Sequence, residues 1–161
     1  MLSAIEVGPK LLRTKGFDFI LFEDCMEFEM EICQPVRRET AETDLKENLL
    51  KMHQLNVIHS DIKPANVMFS VSYGKNVFLD FGVSEVVKEE VWEPTLTKFK
   101  GTYEYCGEEM KKLFIKKKQG LVNLYMNDVQ MLERTVKFFE KNSEKNIKEK
   151  MKEINKDKVF E

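Results

Sequence analysis

Two short apolar runs enclose a polar octet near the middle of the chain, and their spacing limits the fold more than any other feature. Val57-Ile58 leads into His59-Ser60-Asp61-Ile62-Lys63-Pro64-Ala65-Asn66, and Val67-Met68-Phe69-Ser70 follows. A further run, Asn76-Val77-Phe78-Leu79, ends in Asp80-Phe81-Gly82. Tyr73-Gly74-Lys75-Asn76 lies between β-prone residues and predicts a hairpin turn. The 13 residues between Asn66 and Asp80 fit a strand, a turn and a returning strand. Such a hairpin brings Asn66 and Asp80 to the same end of its sheet.

The rest of the chain can be read around that hairpin. Phe17–Cys25 is apolar, aromatic and branched, which predicts a strand, and Lys10–Arg13 suggests the end of a partner strand. Pro35 to Thr43 is polar and proline-broken, a loop by composition. Leu45, Leu49 and Met52 recur at helical spacing, with Thr43 as the expected N-cap and Glu47 in the first turn. Val83 to Thr102 lacks periodicity, and long irregular segments of this kind are usually functional or mobile. Glu108–Phe114 suggests a short helix; Val129, Leu132, Val136 and Phe139 mark one face of a longer one. The Lys- and Glu-rich stretch from Glu140 to Glu161 carries a thin stripe of Ile147, Met151 and Ile154. A solvated terminal helix or a partner-binding one fits that pattern.

Composition narrows the classes. The 161 residues suffice for one domain with a sizeable core. A formal charge of -2 argues against a nucleic-acid binder driven by bulk charge. Cys25, Cys33 and Cys106 are odd in number and lack C-x-x-C spacing, so inert free thiols in a reduced compartment are expected. Neither a signal-peptide core nor an apolar run long enough to span a bilayer is found, which predicts a soluble, cytoplasmic chain without membrane contact.

The polar octet and the Asp80 turn together supply the parts of a phosphoryl-transfer site. Such chemistry needs a carboxylate to orient the attacking hydroxyl, oxygen ligands for Mg²⁺ and positive charge on the phosphate. Asp61 is the candidate base, Lys63 the candidate γ-phosphate contact, and Asn66 and Asp80 the candidate metal ligands.

His-Ser-Asp-Ile-Lys-Pro-Ala-Asn followed by Asp-Phe-Gly resembles the catalytic loop and metal-binding motif of the eukaryotic protein kinases. Downstream, Lys-Gly-Thr-Tyr-Glu-Tyr-Cys-Gly-Glu-Glu-Met is similar to that family's G-T-x-x-Y-x-A-P-E, with Gly101, Thr102, Tyr105 and Glu109 in place. Asp128, in Asn-Asp-Val-Gln-Met-Leu, matches the buried aspartate that opens the family's central helix. Lys63 and Thr102 point to the serine/threonine type. A small-molecule kinase of the aminoglycoside type would share only the His-Asp-Asn-Asp skeleton.

The resemblance implies an α+β fold: a mostly helical large lobe with a β-hairpin, and a remnant of the small-lobe sheet. It implies a partial kinase domain over 1–141, with 1–25 as small-lobe remnant and 26–141 as large lobe, then a tail at 142–161. ATP and Mg²⁺ are the implied cofactors, and a protein Ser/Thr hydroxyl the implied substrate, with a regulatory protein partner also possible. Phe22 would be the gatekeeper, Glu23 to Cys25 the hinge backbone that meets adenine, and Met68 the floor beneath it. His59, Phe81 and Gly82 would be structural, and Asp128 would bond the catalytic-loop backbone.

Three departures bear on activity. The sequence holds no G-x-G-x-x-G, and Lys10 and Lys15 lack the setting of a small-lobe lysine. Ser60 stands where the family has an arginine that pairs with an activation-segment phosphate, so Thr95 and Thr97 are expected to be unmodified. Gly107-Glu108-Glu109 lacks the proline of A-P-E, and Glu109 is expected to be exposed or differently paired, with Arg134 out of place to bind it. A non-catalytic kinase-like module that binds partners is the competing expectation.

Overall fold

The computed structural model describes residues 6–9, 11–14, 28–87 and 93–157, with side chains placed at 6–9, 30–87 and 93–142. In chain order the elements are β1 (Leu11–Thr14), β2 (Phe28–Met30), α1 (Arg38–Gln54) and β3 (Val57–Ile58). A 3-10 turn (Pro64–Asn66) precedes β4 (Val67–Ser70), β5 (Lys75–Phe78), β6 (Glu85–Val86) and β7 (Thr95–Thr97). The chain continues through α2 (Glu108–Lys116), β8 (Gly120–Val122) and α3 (Leu124–Asp157). The result is an α+β chain. Its described strands pair in four antiparallel two-stranded sheets: β1 with β2, β3 with β6, β4 with β5, and β7 with β8.

The predicted hairpin is present. Val67 pairs with Phe78 and Ser70 with Lys75, and Gly74 closes the turn at φ +67°, a conformation open to glycine. Val67, Phe69, Val77 and Phe78 are buried, because α1 lies along β5 on one side and Val7 packs on the other. The Val7 carbonyl accepts the Phe78 N–H at 2.8 Å, and Gly8 lies against the Phe81 ring. α1 also packs on α3, so Leu45, Leu49 and Met52 meet Met131, Leu132 and Val136 in one core cluster.

α1 begins at Arg38, five residues ahead of Thr43, so Thr43 lies inside the helix and caps nothing. The cap is supplied from β5. Buried Asn76 accepts the Arg37 N–H at 2.9 Å through its Oδ1, and its Nδ2 donates to the Arg37 carbonyl, to Thr40 Oγ1 and to Asp44 Oδ2. A cap drawn from 39 residues away leaves no local signature, which is why Pro35 to Thr43 resembled a loop throughout.

β1 is the strand suggested at Lys10–Arg13, and its described partner is β2. The expected strand at Phe17–Cys25, with Phe22, Glu23 and Cys25, lies outside the described residues, as do 88–92. α3 runs unbroken for 34 residues and crosses position 141. Among the described residues, no helix is long and apolar enough to cross a membrane.

Candidate active site

The loop after β3 is fixed from below by a buried carboxylate. Asp128, in the second turn of α3, is fully buried and accepts two backbone N–H groups, from His59 at 2.7 Å and from Ser60 at 2.9 Å. Hydrogen bonds from backbone N–H groups to an ionised acceptor are strong, and they satisfy a charge that burial would otherwise make costly. Ser60 takes φ +67°, a left-handed conformation that costs about 1–3 kcal/mol for a residue other than glycine. The two Asp128 bonds and the packing of Gly101 hold it there. Gly101 itself sits at φ +85°, and a Cβ on it would collide with the Ser60 carbonyl oxygen and lie 2.8 Å from Met131 Cε.

His59 ties this loop to the hairpin. Burial pushes its imidazole below the usual histidine range, outweighing the attraction of Asp128, so the ring is neutral at pH 7. Nε2 then donates to the Leu79 carbonyl at 3.1 Å, while Nδ1 accepts the Asp61 N–H at 3.3 Å. The ring also meets Phe81 in a tilted contact at a centroid distance of 5.0 Å and Phe78 edge-on at 5.3 Å. One side chain thus sets both the start of Asp61 and the approach to Asp80.

Both oxygens of the Asp61 carboxylate are engaged, with one lone-pair direction on Oδ1 left open. Oδ1 accepts the Thr102 hydroxyl at 2.7 Å; Oδ2 accepts Lys63 Nζ at 2.7 Å and Asn66 Nδ2 at 3.2 Å. Lys63 Nζ also donates to Thr102 Oγ1 at 2.9 Å, closing a ring of three side chains. Burial alone would raise this carboxyl. The hydrogen bonds from Lys63 and Thr102, with the Lys63 charge, outweigh it and hold Asp61 below the usual carboxylate range. It is therefore an ionised group whose lone pairs have a set direction.

Asn66 ends the 3-10 turn. Its Nδ2 donates to the Asp61 carbonyl as well, at 3.0 Å, and its own carbonyl accepts the Leu79 N–H at 2.9 Å. That last bond extends the β4–β5 register by one pair and brings Asp80 to the same hairpin end. Asp80 is exposed at φ +58°, with Oδ1 accepting the Gly82 N–H at 3.3 Å. Both residues thus present side-chain oxygen, the donor type that suits Mg²⁺. Among the described residues, no group of three or more His, Cys, Asp or Glu could hold a metal.

The remaining sequence expectations fall differently. Met68 is half-buried on β4. Thr95 and Thr97 lie in β7; Thr97 is buried and donates to the Lys98 carbonyl, which leaves it poorly placed for modification. Glu109 is exposed. Arg134 binds its neighbour instead, reaching Glu108 Oε1 at 3.1 Å and donating to the Tyr105 and Cys106 carbonyls. The Cys106 thiol is pushed up to about 12 by burial, and Cys33 is raised by burial and then by Glu31, so neither described cysteine is an activated thiolate. Two contacts escaped sequence reasoning. The fit of Gly101 to Ser60 is one; the other places His53 Nε2 3.4 Å from Asp128 Oδ2, with the ring edge-on to Tyr125.

This fold and this loop define a kinase-like chain. The model of the protein kinase domain matches residues 22–159, and the chain belongs to the protein kinase family. It is 35% identical over 86 residues to mitogen-activated protein kinase kinase kinase 8 of Rattus norvegicus, a match covering 51% of this chain and 17% of that protein. The chain therefore spans under a fifth of the length of the curated relative it matches.

Proposed function

We propose that the chain is a protein serine/threonine kinase, a phosphotransferase that moves the γ-phosphate of ATP to a protein hydroxyl. The observation that carries this reading is the Asp61–Lys63–Thr102 ring with Asn66 against it. In this reading Asp61 orients the incoming hydroxyl and takes up its proton as the phosphoryl group departs. Because its carboxyl lies below the usual range, its main contribution is orientation rather than strong basicity. Lys63 places positive charge beside Asp61, where the γ-phosphate would arrive, and Thr102 holds both groups in line.

Asn66 Oδ1 and the Asp80 carboxylate are the oxygens that would hold Mg²⁺, which when bound neutralises phosphate charge. Asn66 fits that role because its Nδ2 is committed to Asp61, leaving Oδ1 as the ligand atom. Met68 would lie beneath the adenine in this reading, within a large lobe over 26–141.

Incubating the full chain with Mg-ATP and a serine-containing peptide, beside Asp61→Asn, tests the proposal. Transfer by the native chain and about 100-fold less by the variant is expected. The second reading, a non-catalytic kinase-like module, rests on the departure of Gly107-Glu108-Glu109 from A-P-E and on the exposure of Glu109. It would lead if the native chain and the variant were equally inert.

A further inference from the structure

The C-terminal half of α2 departs from the rest of the surface. Met110 and Leu113 turn into the core, yet Phe114 and Ile115 are 52% and 67% exposed. Beside them β7 and β8 pair Leu96 directly with Leu121, and these two are 65% and 66% exposed. The strand pair abuts the helix through Gly120 and Leu113, where a Cβ on Gly120 would lie 2.7 Å from Leu113 Cδ2, so strand alternation turns Leu96 and Leu121 to the far face; the apolar set contiguous with Phe114 is Phe99 and Tyr103. Scattered apolar residues on a surface need no explanation, but a contiguous set does.

Lysines outnumber acids around this set, Glu104 beside Tyr103 being the nearest exposed carboxylate in sequence. Lys112, Lys116, Lys117 and Lys118 are exposed around it, and Lys98 follows β7. None of the five has an ion-pair partner among the described residues, whereas Lys46, Lys51, Lys75, Lys100 and Lys111 all do. One lysine in the last turn would suffice to complement the helix dipole. Three in succession from position 116, beside two exposed apolar side chains, exceed what the helix end requires.

The patch is also continuous with the active site. Phe114 packs on Phe99 at 4.8 Å and on Tyr103 at 5.1 Å, and these residues flank the Gly101-Thr102 pair that reaches Ser60 and Asp61. We propose that this surface docks an acidic protein segment bearing apolar side chains, with Glu or Asp meeting the lysines and Leu- or Phe-like residues covering Phe114 and Ile115. Charge complementarity selects the sign of the partner. Continuity with Thr102 favours a protein over a lipid surface, because a docked segment could run on toward Asp61. That the partner is the substrate rests on the kinase reading; the docking itself does not.

The test uses the full chain and a fluorescein-labelled peptide of repeating Glu-Glu-Leu, read by anisotropy without nucleotide, so that failed transfer and failed docking are separable. The native chain is expected to bind it, to lose affinity as salt rises, and to ignore a Gln-for-Glu version. Lys116→Glu/Lys117→Glu/Lys118→Glu should weaken binding about tenfold or more, and Ile115→Ser several-fold, with the chain still folded by its unfolding transition since all four side chains are exposed. Equal binding by the charge-reversed chain would overturn the proposal. So would binding to phosphatidylserine vesicles without binding to the peptide, which would assign the patch to a membrane.

Discussion

The His59–Asn66 loop and the β7–α2–β8 region lie side by side, yet they use polar and apolar groups in opposite ways. From His59 to Asn66, ionisable and amide groups are buried and hydrogen-bonded: Asp128 holds the loop backbone, Asn66 holds Asp61, and His59 spans to Leu79. Around α2, by contrast, large apolar side chains stand in water, and Lys112, Lys116, Lys117 and Lys118 have no carboxylate partners among the described residues. Buried polar networks specify one geometry because each missing partner is costly. Exposed apolar groups beside like charges specify nothing internally, and they leave a surface ready for something else. The loop's stability therefore resides in its bonds, and the α2 surface is free to vary without unfolding the chain.

Substitutions can break that contrast, the most damaging first. Asp128→Ala leaves the His59 and Ser60 N–H groups buried without acceptors, and denaturant unfolding should show a loss of about 3 kcal/mol or more. Gly101→Ala forces a side chain into a left-handed residue against the Ser60 carbonyl; a loss of about 2 kcal/mol is expected, together with reduced transfer as Thr102 shifts from Asp61. Asn76→Ala removes the acceptor of the Arg37 N–H at the start of α1 and one of three donors to Asp44, whose bonds from the Asn76 backbone N–H and Thr40 remain, costing about 1–2 kcal/mol in the same measurement.

A pH titration sharpens the contrast further. His59 is depressed in the folded state, so the unfolded chain binds the extra proton first; stability is full above about 6.5 and falls as pH drops through and below that value. Asp61 is depressed too, and its contribution disappears only at pH values below the ordinary aspartate range, near 3.8. Thermal unfolding between pH 8 and 5 should lose less stability in His59→Gln than in the native chain. Smallest of all, Lys116→Glu/Lys117→Glu/Lys118→Glu should cost about 1 kcal/mol or less, through the helix end alone.

Much of the loop was legible in the sequence because its motif residues touch one another over short spans. Lys63 and Asn66 reach Asp61 from two and five residues away. The β4–β5 hairpin was legible through its turn, and α2 and α3 through their apolar period. The start of α1 was not, because its cap is Asn76 from a distant strand. β6, β7 and β8 were hidden as well: two- and three-residue ladders carry too little alternation to separate from a loop. Gly101 was seen as a motif residue, but its need to be glycine comes from the Ser60 backbone, which only the folded chain brings against it.

The central claim is that the Asn66–Asp80 end of the hairpin, under the Asp61 ring, binds Mg-ATP. Thermal unfolding of the full chain with and without saturating Mg-ATP, beside Asp80→Ala, tests it most directly. At one hundred times the dissociation constant, binding should stabilise the native chain by about 2.7 kcal/mol, and Asp80→Ala should abolish the shift. An unshifted transition in the native chain, or an equal shift in both proteins, would contradict the account.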